Sequence, residues 1–163
     1  LKIGATGKTF DGSANVTWTL SEIGAVSQEV GTWTPGFSAA TAPTGVTYSS
    51  TPIGKYVKTG VSCTIEFLVQ MTSKGTGGSG NALFTNLPFT AYNSSGSIQW
   101  KGPVGFLFNF KDSTDTYKLA WGVQDNGTIC YLGRNGGAYY VAQWSDLTNT
   151  TTVYGSLTYR TAS

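Results

Sequence analysis

Between Val61 and Met71 the chain alternates: Val61, Cys63, Ile65, Phe67, Val69 and Met71 are apolar, Ser62, Thr64, Glu66 and Gln70 are polar, and only Leu68 breaks the pattern. Successive side chains of a strand point to opposite faces. A period of two therefore describes a long strand with one face in a core and the other against water or a neighbour. Upstream, Lys55 to Lys58 alternates more briefly, and Thr59-Gly60 between the two runs supplies a hairpin turn. The core is expected to be a sheet core.

Further strands follow the same rule. Gly31 to Pro35 opens a new domain, with Pro35 at a sheet edge because it cannot donate to a ladder. Residues 39–45 read as a loop and Val46 to Tyr48 as a short strand. The stretch SKGTGGSGN at 73–81 is too glycine-rich for regular structure and reads as a mobile loop. Val104, Phe106, Phe108 and Phe110 share one phase, and Tyr117, Leu119, Trp121 and Val123 repeat the alternation. Asp125-Asn126-Gly127 predicts a type I′ turn, Asn135-Gly136-Gly137 a second turn, and Val153 to Arg160 the last strand. Val16, Trp18 and Leu20 predict one short strand near the start, and Ser21 to Gly24 a single helical turn.

Roughly ten short strands without helices predict an all-β, antiparallel β-sandwich, jelly-roll-like, with a closed barrel as the alternative. The expected core is Val61, Ile65, Phe67, Val69, Phe106, Phe108, Leu119, Trp121 and Leu157. Residues 1–31 form a glycine-punctuated extended segment with a connector, and residues 32–163 form the sandwich. The pulses Ile3, Phe10, Val16, Trp18 and Ile23 are too interrupted by glycine to close a private core and too apolar for a solvated linker. They are expected to bury against further copies of the chain, with folding back onto its own sandwich as an extra strand the alternative.

Of 163 residues only 11% are charged, and the net charge of +2 has no basic run behind it, so no nucleic-acid partner is expected. No apolar run approaches the roughly 20 residues needed to span a bilayer, so no membrane insertion is expected. The chain opens at Leu1 rather than Met, as a piece of a longer protein would. Cys63 falls in the apolar phase of its strand and is read as a small buried hydrophobe, unbridged to Cys130. The absence of histidine excludes Ser-His-Asp and Cys-His catalysis and leaves zinc only two distant cysteines. Glycoside cleavage would need two carboxylates; the nearest pair, Asp112 and Asp115, has the spacing of turn chemistry. No catalytic residue, metal or cofactor is assigned.

The opening segment LKIGATGKTFDGSANVTWTLSEIGA resembles the glycine-punctuated stretch, ending in a SEIGA-like turn, found in tail fibres and tailspikes of tailed bacteriophages. GTWTPGF, IGKYVKTG, the NLPF motif at Asn86 to Phe89 and the closing GSLTYRTA look like the distal β-sandwich domain of the same proteins, and together they cover nearly the whole chain. The resemblance implies a homotrimer at the distal end of a virion fibre or spike, assembled in the host cytoplasm and attaching without enzymatic action to bacterial lipopolysaccharide or capsule. A trimerising or capping role, with recognition elsewhere, is the alternative, and an endoglycosidase the remote one. Without histidine, the histidine-ligated metal tips of some fibres are excluded here. The self-cleaving C-terminal chaperone segment of other relatives has no counterpart in this sequence.

Sugar recognition needs apolar ring faces beside amides and carboxylates that bond hydroxyls. Aromatics next to polar loops are therefore the candidates: Tyr92 with Asn93, Trp100, Arg134 with Asn135, Tyr140, and Trp144 beside Asp146.

Overall fold

The computed structural model describes residues 15, 17–20, 22–96, 98–103, 105–111, 119–135 and 139–162; for 99–103, 119, 134, 135, 139 and 140 the description is of backbone alone. Two antiparallel sheets face each other. The first runs β1 (Gln28–Trp33), β4 (Ile53–Thr59), β5 (Ser62–Thr76), β12 (Leu147–Arg160), β8 (Phe106–Phe110), and β3 (Thr44–Tyr48) pairs with the far end of β5. The second runs β2 (Gly36–Thr41), β6 (Ser79–Thr85), β10 (Cys130–Asn135), β9 (Leu119–Gln124), β7 (Ile98–Pro103), with β11 (Tyr139–Val141) also on β10. The described residues contain no α-helix, only a 3-10 turn at Trp144–Asp146. The all-β antiparallel class read from the periodicity is borne out.

β5 is the longest strand, and its alternation decides the inner face: Cys63, Ile65, Phe67, Val69 and Met71 are buried, and the residues between them are exposed. Beside it β12 pairs from Thr152↔Gln70 to Arg160↔Ser62, sending Val153, Leu157 and Tyr159 to the same interior. Phe67 then meets Phe84 of β6 at 4.5 Å between ring centroids and Trp121 of β9 at 5.3 Å. Trp33 and Phe37 extend the cluster by edge contacts to Phe84 at 5.8 and 5.7 Å. Such offset and edge-on pairs add about 0.5–1.5 kcal/mol each to the burial of the rings. Pro35 links β1 to β2, which are edge strands of opposite sheets, as its missing donor requires. Cys63 and Cys130 are buried free thiols on different sheets.

Several expectations are corrected. Val61 is exposed, because Thr59 pairs with Ser62 and leaves Gly60 and Val61 as a two-residue turn; Gly60, at φ 57°, takes its first position. Phe106 and Phe108 are exposed rather than buried. The ladder between β8 and β12 shifts between Leu147↔Phe110 and Thr152↔Phe108, so four residues of β12 answer one of β8. Asn109, at φ 55°, sits at the shift; its carbonyl accepts the hydroxyls of Thr148 (2.7 Å) and Thr151 (2.9 Å). That bulge changes the phase of the strand, so Leu107 and Phe110 pack on the core in place of Phe106 and Phe108.

The glycine-rich stretch 73–81 is also no loop: β5 continues to Thr76 and β6 starts at Ser79. Glycines at 75, 77 and 80, all with φ near 70–80°, turn the chain from β5 in the first sheet into β6 in the second, and β3 supplies a ladder through Thr44↔Thr76 and Val46↔Lys74. Residues 39–45 likewise belong mostly to β2 and β3. At the β9–β10 turn only Asn126 is left-handed, and Gln124 bonds both Gly127 and Ile129, so the turn is longer than type I′. No strand forms at 17–20, and β1 already begins at Gln28, across the expected boundary at residue 32. At the expected helical turn the described residues make a hydrogen-bonded turn and no helix, with Ser21 outside the description: Glu22 accepts from the Thr19 amide (2.8 Å), and the Glu22 amide donates to the Thr19 hydroxyl (3.3 Å). Residues 1–14, Val104, Tyr117, the Leu119 side chain and Gly136-Gly137 fall outside the description.

Two predictions follow from this core. A side chain at Gly54 would collide with the Trp33 indole lying over it. Gly54→Val is expected to cost about 1–3 kcal/mol in urea denaturation; an unchanged midpoint would mean that Trp33 repacks freely. Burial pushes the Cys63 and Cys130 thiols and the Tyr159 phenol above their ordinary values. Each group therefore holds its proton more tightly folded than unfolded. That stabilisation is complete below the ordinary thiol value of 9.0 and is lost as the pH rises above it. Urea midpoints should be level over roughly pH 6–8 and decline beyond about pH 9; a midpoint unchanged at about pH 11 would contradict this assignment.

Candidate functional site

The link from β5 to β6, which carries the chain from the first sheet to the second, and the 3-10 turn enclose a groove of about 400 Å3 lined by Lys74, Gly75, Gly78, Gln143, Trp144 and Ser145 among others. Its walls follow from the glycines. A Cβ at Gly78 would lie 2.5 Å from the Trp144 Nε1, so only glycine lets this link close over that indole. Lys74 crosses beneath, its Nζ donating to the carbonyls of Trp144 (3.2 Å) and Leu147 (3.1 Å). Burial, then the nearby Lys111, hold its ammonium below the usual lysine range. Gln143 is fixed at the rim, its amide nitrogen donating to Asn81 Oδ1 and to the Val141 carbonyl, both at 3.0 Å. The groove thus presents backbone, amide, hydroxyl and one ammonium.

Asp146 serves this architecture, since its carboxylate accepts the Gln143 amide at 2.8 Å and so closes the 3-10 turn. Trp144 is corrected from its expected role. The turn folds its ring inward under the glycine-rich link from β5 to β6, and at 2% exposure it is a floor rather than a stacking platform.

Tyr92 and Asn93 lie at one end of the sandwich. Tyr92 is exposed, donates its amide to the Arg160 carbonyl (2.9 Å), and carries the Arg160 guanidinium 3.9 Å from its ring centroid. Asn93 Oδ1 accepts the amide of Ser95, which sits at φ 67°. Asp125, from the β9–β10 turn, gathers this loop by accepting the amides of Ser94 and Gly96, both at 3.0 Å, and the Ser94 hydroxyl at 2.9 Å.

Trp100 pairs with Gly122 on β9, and Arg134 and Asn135 pair with Tyr140 and Tyr139 on β11; their side chains are outside the description, as are Asp112 and Asp115. The sequence candidates are therefore spread over several places rather than joined in one. Lys74, Gly78, Gln143 and Ser145 escaped the sequence reading. The glycine density at 75–80 was the signal for them, although it suggested a loose loop.

No protein-family model matches the chain, and no curated protein sequence matches it. Its fold is similar to part of the crystal structure of the Dettilon tailspike protein, with a TM-score of 0.57 and 16% identity over 80% of this chain. The chain spans 23% of that protein's length, and at this identity the likeness is one of fold.

One prediction concerns the Tyr92 end. In Asp125→Asn, hydrogen exchange at the Ser94 and Gly96 amides should accelerate on the order of tenfold, because a neutral amide is the weaker acceptor. Unchanged exchange would show that the loop does not depend on this carboxylate.

Proposed function

We propose that the chain is a domain of a bacteriophage tail fibre or tailspike that attaches the virion, without enzymatic action, to bacterial surface polysaccharide as a homotrimer. The observation that carries this reading is the glycine-walled groove, whose amide, hydroxyl and backbone groups match the hydroxyl-rich, largely uncharged surface of a glycan. The fold likeness to part of a tailspike supports it, as does a chain with only 11% charged residues. Each site would bind weakly, and three copies on one fibre end would convert weak contacts into firm attachment. Lipopolysaccharide and capsule are the targets with this chemistry. Within the virion the domain belongs at the distal end of the fibre or spike.

A second reading, a trimerising or capping domain with recognition elsewhere, is favoured by the exposed apolar residues on the outer face of the first sheet.

The test is binding of the purified protein to a panel of bacterial lipopolysaccharides and capsules, beside Ser145→Trp, in which an indole at an exposed position fills the groove. At least one polysaccharide should bind, and the variant should bind on the order of tenfold more weakly. Binding that survives in the variant would move recognition away from the groove. No binding to any polysaccharide would favour the capping role, and release of new reducing ends would identify a glycosidase instead.

A further inference from the structure

The registers of the first sheet align its outward residues in rows that cross the strands. One row is Ile53, Leu68, Tyr154 and Phe106, contributed by β4, β5, β12 and β8 in turn. All four are exposed, at 61%, 43%, 46% and 46%. Phe108, 54% exposed, stands beside Phe106 with ring centroids 4.8 Å apart, and Tyr154 is 5.5 Å from Phe106. A second apolar pair, Val30 and Val57, lies across β1 and β4, with the hydrogen-bonded hydroxyls of Thr64 and Thr158 continuing its row. Between the two rows run Thr32, Lys55, Glu66 and Ser156. A depression of about 410 Å3 opens among Val30, Val57, Lys55 and Glu66.

We propose that this outer face is the surface on which copies of the chain mate. The inference rests on the self-association in the preceding reading and names the face that performs it.

Area is the first argument. Five strands at about 4.8 Å spacing, and three steps of two residues from the Val30 row to the Phe108 row, give a face of about 24 by 20 Å. That is on the order of 480 Å2 in projection, more than half of the ~800 Å2 per partner of a stable interface. Half-exposed aromatics contribute roughly 100 Å2 each. With the aliphatic residues, the apolar part reaches the upper end of the ~300–600 Å2 that a lone soluble protein exposes.

Charge is the second argument. The rows between Val30 and Phe106 hold two charged residues, Lys55 and Glu66, adjacent in register and opposite in sign. About a three-fold axis, where unlike parts of the face meet, Lys55 of one copy can stand against Glu66 of the next, whereas a purely acidic or basic partner would meet one like charge. The exposed Leu20, Ile23 and Val26 precede β1, the edge strand of this face.

The test is the mass of the full 163-residue chain in solution by sedimentation or light scattering across a dilution series, beside Leu68→Arg and Val57→Lys. Both residues are exposed, so neither change disturbs the core; Ala40→Arg, an exposed position on the other sheet, is the control. The wild type and the control should form a defined oligomer. Both face variants should dissociate at concentrations on the order of tenfold higher or more, with unchanged circular dichroism. An oligomer that both variants leave intact overturns this face and leaves the homotrimer reading standing. A monomeric wild type overturns both.

Discussion

The contact of Phe67 with Phe84 and Trp121 is the interaction on which the remaining structure depends, because it is where the two sheets meet. Phe67 stands on β5, the longest strand, and Phe84 and Trp121 stand on the second sheet. Burying rings of this size is worth about 1.5–3 kcal/mol each, and the gain is realised only when both sheets are formed. The rings also need room. Gly155 on β12 lies against Phe67, where a Cβ would come within 2.8 Å of its ring, and Gly54 leaves space for Trp33. Glycine in a strand interior weakens the strand, so these positions exchange some strand stability for ring packing.

Two devices at the sheet margins set which surfaces the domain offers. The wide bulge at Asn109, held by threonine hydroxyls on its carbonyl, turns Phe106 and Phe108 outward beside Tyr154. The glycines of the link from β5 to β6 bring backbone over Trp144 and leave a groove of mixed polarity beside it. One device makes an apolar face and the other a concavity of mixed polarity, on different parts of the same scaffold. The proposed assembly and the proposed recognition would therefore use separate surfaces of a single small domain.

The Tyr92 end has a different character. Its loop is held by one carboxylate, Asp125, collecting two amides and a hydroxyl, while the Arg160 guanidinium lies over the Tyr92 ring. These are local, directional contacts, and they order a loop without contributing to the core.

By itself the sequence determined the class of fold and the inner face of β5, because a period of two can be satisfied only by a strand with one buried side. Ile65, Phe67, Val69, Trp121 and Leu157 were legible for that reason, and all are buried. Tertiary structure decided the rest. FLFNF at 106–110 is apolar in both phases, and only the bulge opposite β12 selects Leu107 and Phe110 for the core. Ser73 to Asn81 has the composition of a flexible linker, yet pairing with β3 on one flank and packing on Trp144 supply the order that its own residues cannot. Trp144 beside Asp146 reads as an exposed aromatic next to a carboxylate until the 3-10 turn carries the ring inside. In the first two cases the deciding contacts join residues far apart in the chain, and local periodicity carries no information about which distant strand will be the neighbour.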